Sequence, residues 1–459
     1  MAAPAVGEER SSEGVGLPPA TWRATLRHLG PGLIVTGSIV GSGELIVTTA
    51  LGAKAGFILL WLIVLGCILK LFVQVELGRF TISEGVTTLE ALDAAPGPRA
   101  GVSWLFWLWS IMFVAVFFQL AGILGAIAEV LRGFGADLSD AALATVTAVL
   151  TSLLLASGRY SAAEKFSTFM VFAFTACTVA AVAAIQWTPH AVTGKDLVEC
   201  VSFRMPSSFV WAFAAFGITG VGASELVYYP YWCAEKGYAK FVGPRDGTAA
   251  WTERARGWVR VMKIDAWFSL VIYTTSTAAF YLLGAAVLHP GDSGVKNDEL
   301  LSKLSQMYET SFGAPGLWIY LGGAFFVLYS TFFVATASNA RLLADAVFIW
   351  GRGRLHRPAD RRLLISAGCV FLPLINLALF LSIEKSVELI LIGALAQAVM
   401  LPLLAGLAVH LRHRRTDRSI RPGAAWTLCL WAAFLAIVLV SAYQGWDAVA
   451  NAIREGKTP

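Results

Sequence analysis

Two carboxylates occupy places where a charge is costly. Glu44 lies in Val40-Gly41-Ser42-Gly43-Glu44-Leu45-Ile46 and Glu225 in Val221-Gly222-Ala223-Ser224-Glu225-Leu226-Val227, both inside otherwise apolar runs. The two stretches are 181 positions apart, and the same offset pairs Ala53 with Ala234, Gly56 with Gly237 and Phe57 with Tyr238. An ionised carboxylate in hydrocarbon costs at least ~2.5–3.5 kcal/mol, and glycine weakens a helix. Both features at matched places in two halves of one chain make the pattern of broken helices around a shared site. A carboxylate and the carbonyls freed by unwinding can there hold a cation. Gly37, Gly41, Gly43 and Ser42 would open the first helix; Gly217, Gly220, Gly222 and Ser224 the second. The plainer alternative hides each carboxylate in a wet cavity or against an arginine. Two carboxylates in register favour cation binding.

Other polar residues in the apolar runs carry weaker signals. Gln397 has an amide that completes an inner site or simply bonds a neighbouring helix. Thr274, Thr275, Ser276 and Thr277, with Thr336, Ser338 and Asn339, line a pathway or serve interhelical bonds. Arg341 and Asp345 stand at i, i+4 and most simply pair with each other. Tyr228, Tyr229, Pro230, Tyr231 and Trp232 make an aromatic cap over a cation, or an interfacial belt. His190, His289, His356, His410 and His413 fall at span ends or in loops, where water solvates them. Cys200 reads as a loop residue, and none of the six cysteines shows metal-ligand spacing. No phosphate loop, nucleophile elbow or His-Glu-x-x-His is present, so enzyme chemistry is not expected.

The elements that must position these groups are membrane helices. The chain of 459 residues is 57% hydrophobic and 14% charged, with a mean hydropathy of +0.67. That balance excludes an ordinary soluble or disordered chain. The net charge of +5 sits in short loops without interleaved aromatics, which excludes a nucleic-acid face. Apolar runs predict eleven spans, at 29–52, 57–80, 102–133, 140–157, 164–187, 209–234, 262–288, 314–349, 362–382, 387–410 and 424–444. Residues 1–22 read as a disordered cytoplasmic tail. With the N-terminus inside, inside segments hold 24 Lys and Arg against nine outside, which supports an N-in, C-out arrangement. The 289–313 segment reads as an acidic outside loop. Five spans separate the two motifs, so the second copy crosses the membrane in the opposite direction. Residues 23–188 and 205–410 then form inverted repeats, with 424–444 added.

Over this region the sequence resembles the natural resistance-associated macrophage protein (Nramp) family of metal-ion transporters. The resemblance runs through Gly30-Pro31-Gly32, Ala50-Leu51-Gly52-Ala53, Gly56-Phe57 and Leu60-Trp61. It continues at Gln74, Arg79, Ala128-Glu129-Val130, Gly158-Arg159, Glu164-Lys165, Asp265 and Leu401-Pro402. It implies an all-α polytopic membrane protein with the leucine-transporter (LeuT) type of fold: two inverted five-helix repeats plus an eleventh helix. The binding motifs differ from the family's. Gly41-Ser42-Gly43-Glu44 stands where the family carries Asp-Pro-Gly-Asn, and Ser224-Glu225-Leu226 where it carries Met-Pro-His. Ala126 replaces the family's Asp, while Glu129 is kept. Glu129 belongs to a proton-linked network by resemblance, or pairs with Arg132 at i, i+3.

With serine in place of the soft methionine, the donors are oxygens, which suits a hard cation such as Mg²⁺. The expected site comprises Gly41, Gly43, Glu44, Gly222, Ala223, Ser224, Glu225 and Gln397, with Glu44 and Glu225 as metal ligands and Glu129 on a proton path. The expected function is a secondary carrier of a metal cation, divalent and hard, working by alternating access in the cytoplasmic membrane. The competing expectation is a carrier of a small amine or amino acid coupled to Na⁺ or H⁺; a sensor without flux is the third. The metal ion is cargo, H⁺ a candidate co-substrate, no cofactor is expected, and the only partners expected are the ion and the bilayer.

Overall fold

The first broken helix begins at a proline, and the Gly30 that precedes it is held from 235 positions away. Pro31–Ile39 (α1) has no capping side chain of its own. Asp265 supplies one, accepting Gly30 N–H at 2.9 Å on Oδ1 and Gly32 N–H at 2.6 Å on Oδ2. Proline is suited to this first position because its missing N–H needs no partner there. A Cβ on Gly32 would lie 2.1 Å from the Ser269 hydroxyl, so glycine is what lets the helix end reach the carboxylate.

The computed structural model describes residues 14–157, 161–204, 209–289, 297–351 and 358–454. The Gly158-Arg159 match and His356 lie outside the described residues. After α1 come a π-helical turn over Ser42–Thr48, then Thr49–Ala55 (α2), Leu60–Glu84 (α3), Trp104–Gly133 (α4), Asp140–Ala156 (α5) and Ser161–Ala184 (α6). The second half holds Phe209–Ile218 (α7), Ala223–Glu235 (α8), Ala249–Leu283 (α9), Asn297–Phe312 (α10), Pro315–Trp350 (α11), Pro358–Ile383 (α12), Ser386–Arg414 (α13) and Ala424–Arg454 (α14). Ser103, Ser139 and Thr248 cap α4, α5 and α9 with their hydroxyls.

Among the described residues, nine helices are long and apolar enough to cross a membrane. The α1–α2 pair, bent by 44°, makes a tenth. The 17-residue α5 is the shorter apolar helix that corresponds to the fourth expected span. The chain is thus an all-α membrane protein of two inverted five-helix repeats, α1 to α6 and α7 to α13 without α10, plus α14. Apolar side chains such as Ile111, Val114, Leu153, Val271 and Leu439 stay exposed on the outer helix faces, where a bilayer is their solvent. Inside, small residues permit close approach. A Cβ on Gly122 would meet the Ser386 carbonyl at 2.3 Å, and one on Gly217 the Ala394 carbonyl at 2.4 Å. Both contacts hold α13 tightly, against α4 and α7.

Three expectations need correction and one is refined. Segment 289–313 carries a helix, α10, whose Leu300, Leu304, Met307 and Tyr308 are buried. The helix that holds the seventh span starts at Ala249, capped by Thr248, so its charged first turns precede the apolar stretch from 262. The tail expected over 1–22 is fixed by residue 16, where Gly16 donates to the Phe241 carbonyl and accepts from Trp258 Nε1. Residues 1–13 of it lie outside the described residues. Cys200 is buried in a short helix, and the half-buried His190 bonds the Ala286 carbonyl; His289 bonds the Ala53 carbonyl yet stays exposed, as expected.

Candidate functional site

Both breaks put a carboxylate in the first turn of the second half-helix. Glu44 opens the Ser42–Thr48 turn and Glu225 opens α8. A helix N-terminus carries positive partial charge and unbonded N–H groups, so a carboxylate is favourable there.

The breaks are then closed by side chains from other helices. At the first, Thr331 of α11 donates to the Ser38 carbonyl at 3.0 Å. A Cβ on Gly41 would fall 1.7 Å from that hydroxyl, which accounts for the glycine. At the second, Lys70 of α3 donates to the carbonyls of Phe216, at 3.0 Å, and Thr219. Gly220 turns the chain with φ +62°, a conformation glycine adopts freely. Its N–H donates to Glu44 Oε1 at 2.9 Å, and the Thr277 hydroxyl reaches the same oxygen at 2.7 Å.

A polar cavity lies between the breaks. It is lined by Ser38, Ile39, Gly43 and Ile218 from the broken helices and by Ser224, Glu225, Tyr228, Gln119, Thr331, Asn339 and Gln397. Its volume is about 20 Å³, above the ~10–15 Å³ needed for one water-sized body. Tyr228 donates to Glu225 Oε1 at 2.8 Å and contacts the Ser38 hydroxyl at 2.5 Å. Gln397 Oε1 accepts the Ser224 N–H at 2.9 Å, and its Nε2 donates to Gln119 Oε1 at 2.7 Å. Among the described residues that line the cavity, three covered polar atoms make no hydrogen bond to the protein: Glu225 Oε2 and both amide atoms of Asn339. Buried polar groups are nearly always bonded, so such a cluster facing one cavity makes it the candidate binding position. Its donor oxygens are carboxylate, amide and hydroxyl, a set suited to a hard cation.

The structure sorts the expected residues. Gly43, Ser224, Glu225 and Gln397 line the cavity; Gly41, Gly222 and Ala223 shape the breaks beside it. Glu44 does not line it: its Oε1 is spent on Gly220 and Thr277, and the two carboxylates do not share one cavity. The physical reason is that the unbonded Gly220 N–H of the second break draws the Glu44 carboxylate toward it. Glu129 accepts from the Ser386 hydroxyl at 3.0 Å, while Arg132 pairs with Asp140 at 2.9 Å rather than with Glu129. Arg341 pairs with Glu235 at 2.5 Å and Asp345 with Arg361 at 2.7 Å, so the expected pair within α11 gives way to two pairs between elements. Tyr228, Tyr229, Tyr231 and Trp232 are buried, which rules out an interfacial belt. Only Tyr228 of them lines the cavity.

Lys70 and Gln119 did not emerge from the sequence patterns, and Asn339 only as one of several pathway candidates. Lys70 had a signal. Of the lysines and arginines, only Lys70 and Arg341 lie more than a few residues inside an expected span. An ionisable residue within a membrane segment is a functional candidate by position alone.

Two helices broken at matched places, a carboxylate at each break and a small polar cavity between them define the scaffold of a secondary membrane carrier with the leucine-transporter fold. The chain belongs to the natural resistance-associated macrophage protein family, whose model, described as "Natural resistance-associated macrophage protein-like", matches residues 32–447. It is 23% identical over 429 residues to the divalent metal cation transporter MntH of Xanthomonas campestris, covering 93% of this chain and 91% of that one. The MntH of Bradyrhizobium diazoefficiens is 23% identical over 399 residues, covering 84% and 82%. Among solved structures, a mutant of the Eremococcus coleocola manganese transporter superposes with a TM-score of 0.65 at 16% identity, over 97% of this chain and 91% of that one. MhsT in complex with L-phenylalanine does so with a TM-score of 0.53 at 17% identity, over 92% and 98%.

Proposed function

We propose that the protein is a secondary carrier of a hard divalent metal cation, with Mg²⁺ as the type ion. Glu225 is the charged ligand, Asn339 Oδ1 and Gln397 Oε1 are neutral ligands, and Gly43 and Gly222 keep the approach clear. The observation that supports this most is the unpaired Glu225 Oε2 beside the unpaired Asn339 amide in one small cavity. An ammonium-bearing solute such as an amino acid needs a cavity of hundreds of Å³. About 20 Å³ suits an ion with little or none of its water. Family membership and the MntH relatives agree with metal as cargo.

The carrier works by alternating access, with α1, α2, α7 and α8 rocking against the remaining helices. It lies in the cytoplasmic membrane with its N-terminus inside, as the loop charges favour. A proton path through Glu129 has less support, because Ala126 one turn back offers no carboxylate and Ser386 already donates to Glu129. The test is thermal stabilisation of the purified protein by Mg²⁺, Ca²⁺, Mn²⁺, amines and amino acids. Stabilisation by Mg²⁺ or Ca²⁺, lost in Glu225→Gln, is expected; stabilisation by an amino acid alone would replace this reading.

A further inference from the structure

One buried charge has no part in the carrier reading. Lys70 lies in α3, wholly buried, and its Nζ is bonded to main-chain oxygens rather than to a carboxylate. Phe216 belongs to the final turn of α7 and Thr219 to the break itself. The carbonyls there have no following helical turn to bond them, and the helix dipole concentrates negative partial charge on them. Gly220, next in the chain, fixes Glu44, and Thr277 of α9 fixes the same carboxylate. The second carboxylate oxygen, Glu44 Oε2, is covered and makes no hydrogen bond.

Two carbonyls, a carboxylate and a threonine hydroxyl gathered where a helix unwinds are the donors of a hard-cation site. Here an ammonium carried by the chain sits on the carbonyls. We propose that Lys70 is a resident cation: its ammonium fills a monovalent-cation position at the break of the second broken helix, distinct from the cavity at Glu225. The break and the Glu44 charge are then held without a dissolved ion, and this helix keeps its broken form whether or not cargo is bound. Removing the ammonium while leaving space creates a site for Na⁺ or a small primary ammonium ion. The assignment stands on the break alone and does not depend on which substrate the carrier moves.

The experiment compares melting temperatures of the full-length purified protein in choline, sodium, potassium and methylammonium chloride at equal ionic strength. The native protein should melt alike in all four. Lys70→Ala should melt lower in choline and rise by several degrees, saturably, in sodium or methylammonium. Adding Glu44→Gln to it should abolish that response. Lys70→Met fills the space without charge, and should be destabilised with no recovery in any salt. The proposal is overturned if Lys70→Ala melts alike in all four salts, or if Lys70→Met is as stable as the native protein. It is also overturned if neither variant folds in any salt, since a cation position must accept a cation.

Discussion

The Glu44 carboxylate of the first broken helix holds the Gly220 N–H of the second at 2.9 Å, across 176 positions of chain. The two breaks are therefore one structural unit. Lys70 secures the carbonyl side of the second break and Glu44 its N–H side, leaving Glu225 free to face the cavity. Three of the predictions below follow from that division of labour.

Glu44 and Lys70 should be coupled in stability. Glu44→Gln takes away a buried negative charge that stands at the same break as the Lys70 ammonium, so it should destabilise the protein by an amount that depends on Lys70. The double variant Glu44→Gln/Lys70→Met should recover part of that loss, read as a double-mutant cycle in denaturant unfolding. Additive losses would show that the two charges do not act on each other.

Glu225→Gln and Asn339→Ala should lower uptake while the protein folds normally. Losing the one charged ligand removes the electrostatic part of cation binding, so Glu225→Gln should cost more. The second change should raise KM more than it lowers kcat, since it removes a neutral ligand. Initial rates of uptake in proteoliposomes decide this, with elution volume and melting temperature as checks on folding.

Gly222→Ala should damage the site although the backbone accepts it. The residue has φ −73°, open to any amino acid, but a Cβ would lie 2.6 Å from Glu225 Oε2 and 2.8 Å from Gln397 Oε1. Displacing both oxygens costs about 1–3 kcal/mol, as overpacking does, and moves two proposed ligands at once. Unchanged uptake by Gly222→Ala would remove Gln397 from the ligand set.

The ion pairs that join α11 to other elements should couple more strongly than a pair along one helix. Asp345 with Arg361, at 2.7 Å, should show a coupling of about 0.5–3 kcal/mol in a double-mutant cycle. Arg341 with Asp345 should show only a few tenths. The charge swap Glu235→Arg/Arg341→Glu should restore stability lost in either single variant.

How much of this was legible in the sequence varies with the kind of information involved. The breaks were legible, because glycine beside a carboxylate weakens an apolar helix at the depth where charge is most costly. The offset between Glu44 and Glu225 carried their symmetry. Helix α10 was missed: acidic residues made its segment read as a loop, although the spacing of Leu300, Leu304, Met307 and Tyr308 carried a helical signal. Partner choice was not. Whether Arg341 reaches Asp345 along its own helix or Glu235 across a gap depends on how helices pack, which local spacing does not encode. The same holds for Glu44, whose direction is set by an unbonded N–H that exists only once the second helix has broken. Asp265 shows the reverse case, where the resemblance placed it correctly and only the structure supplied its reason, the cap on α1.

The central claim is that a hard divalent cation is carried at Glu225. Its most direct test is uptake of Mg²⁺ into proteoliposomes in competition with Ca²⁺, Mn²⁺ and Cd²⁺, for the native protein and Glu225→Ala. The account predicts uptake by the native protein that Ca²⁺ inhibits at least as well as Mn²⁺ or Cd²⁺, and none by the variant. Transport of Mn²⁺ or Cd²⁺ far better than Mg²⁺, or full uptake by Glu225→Ala, would contradict it.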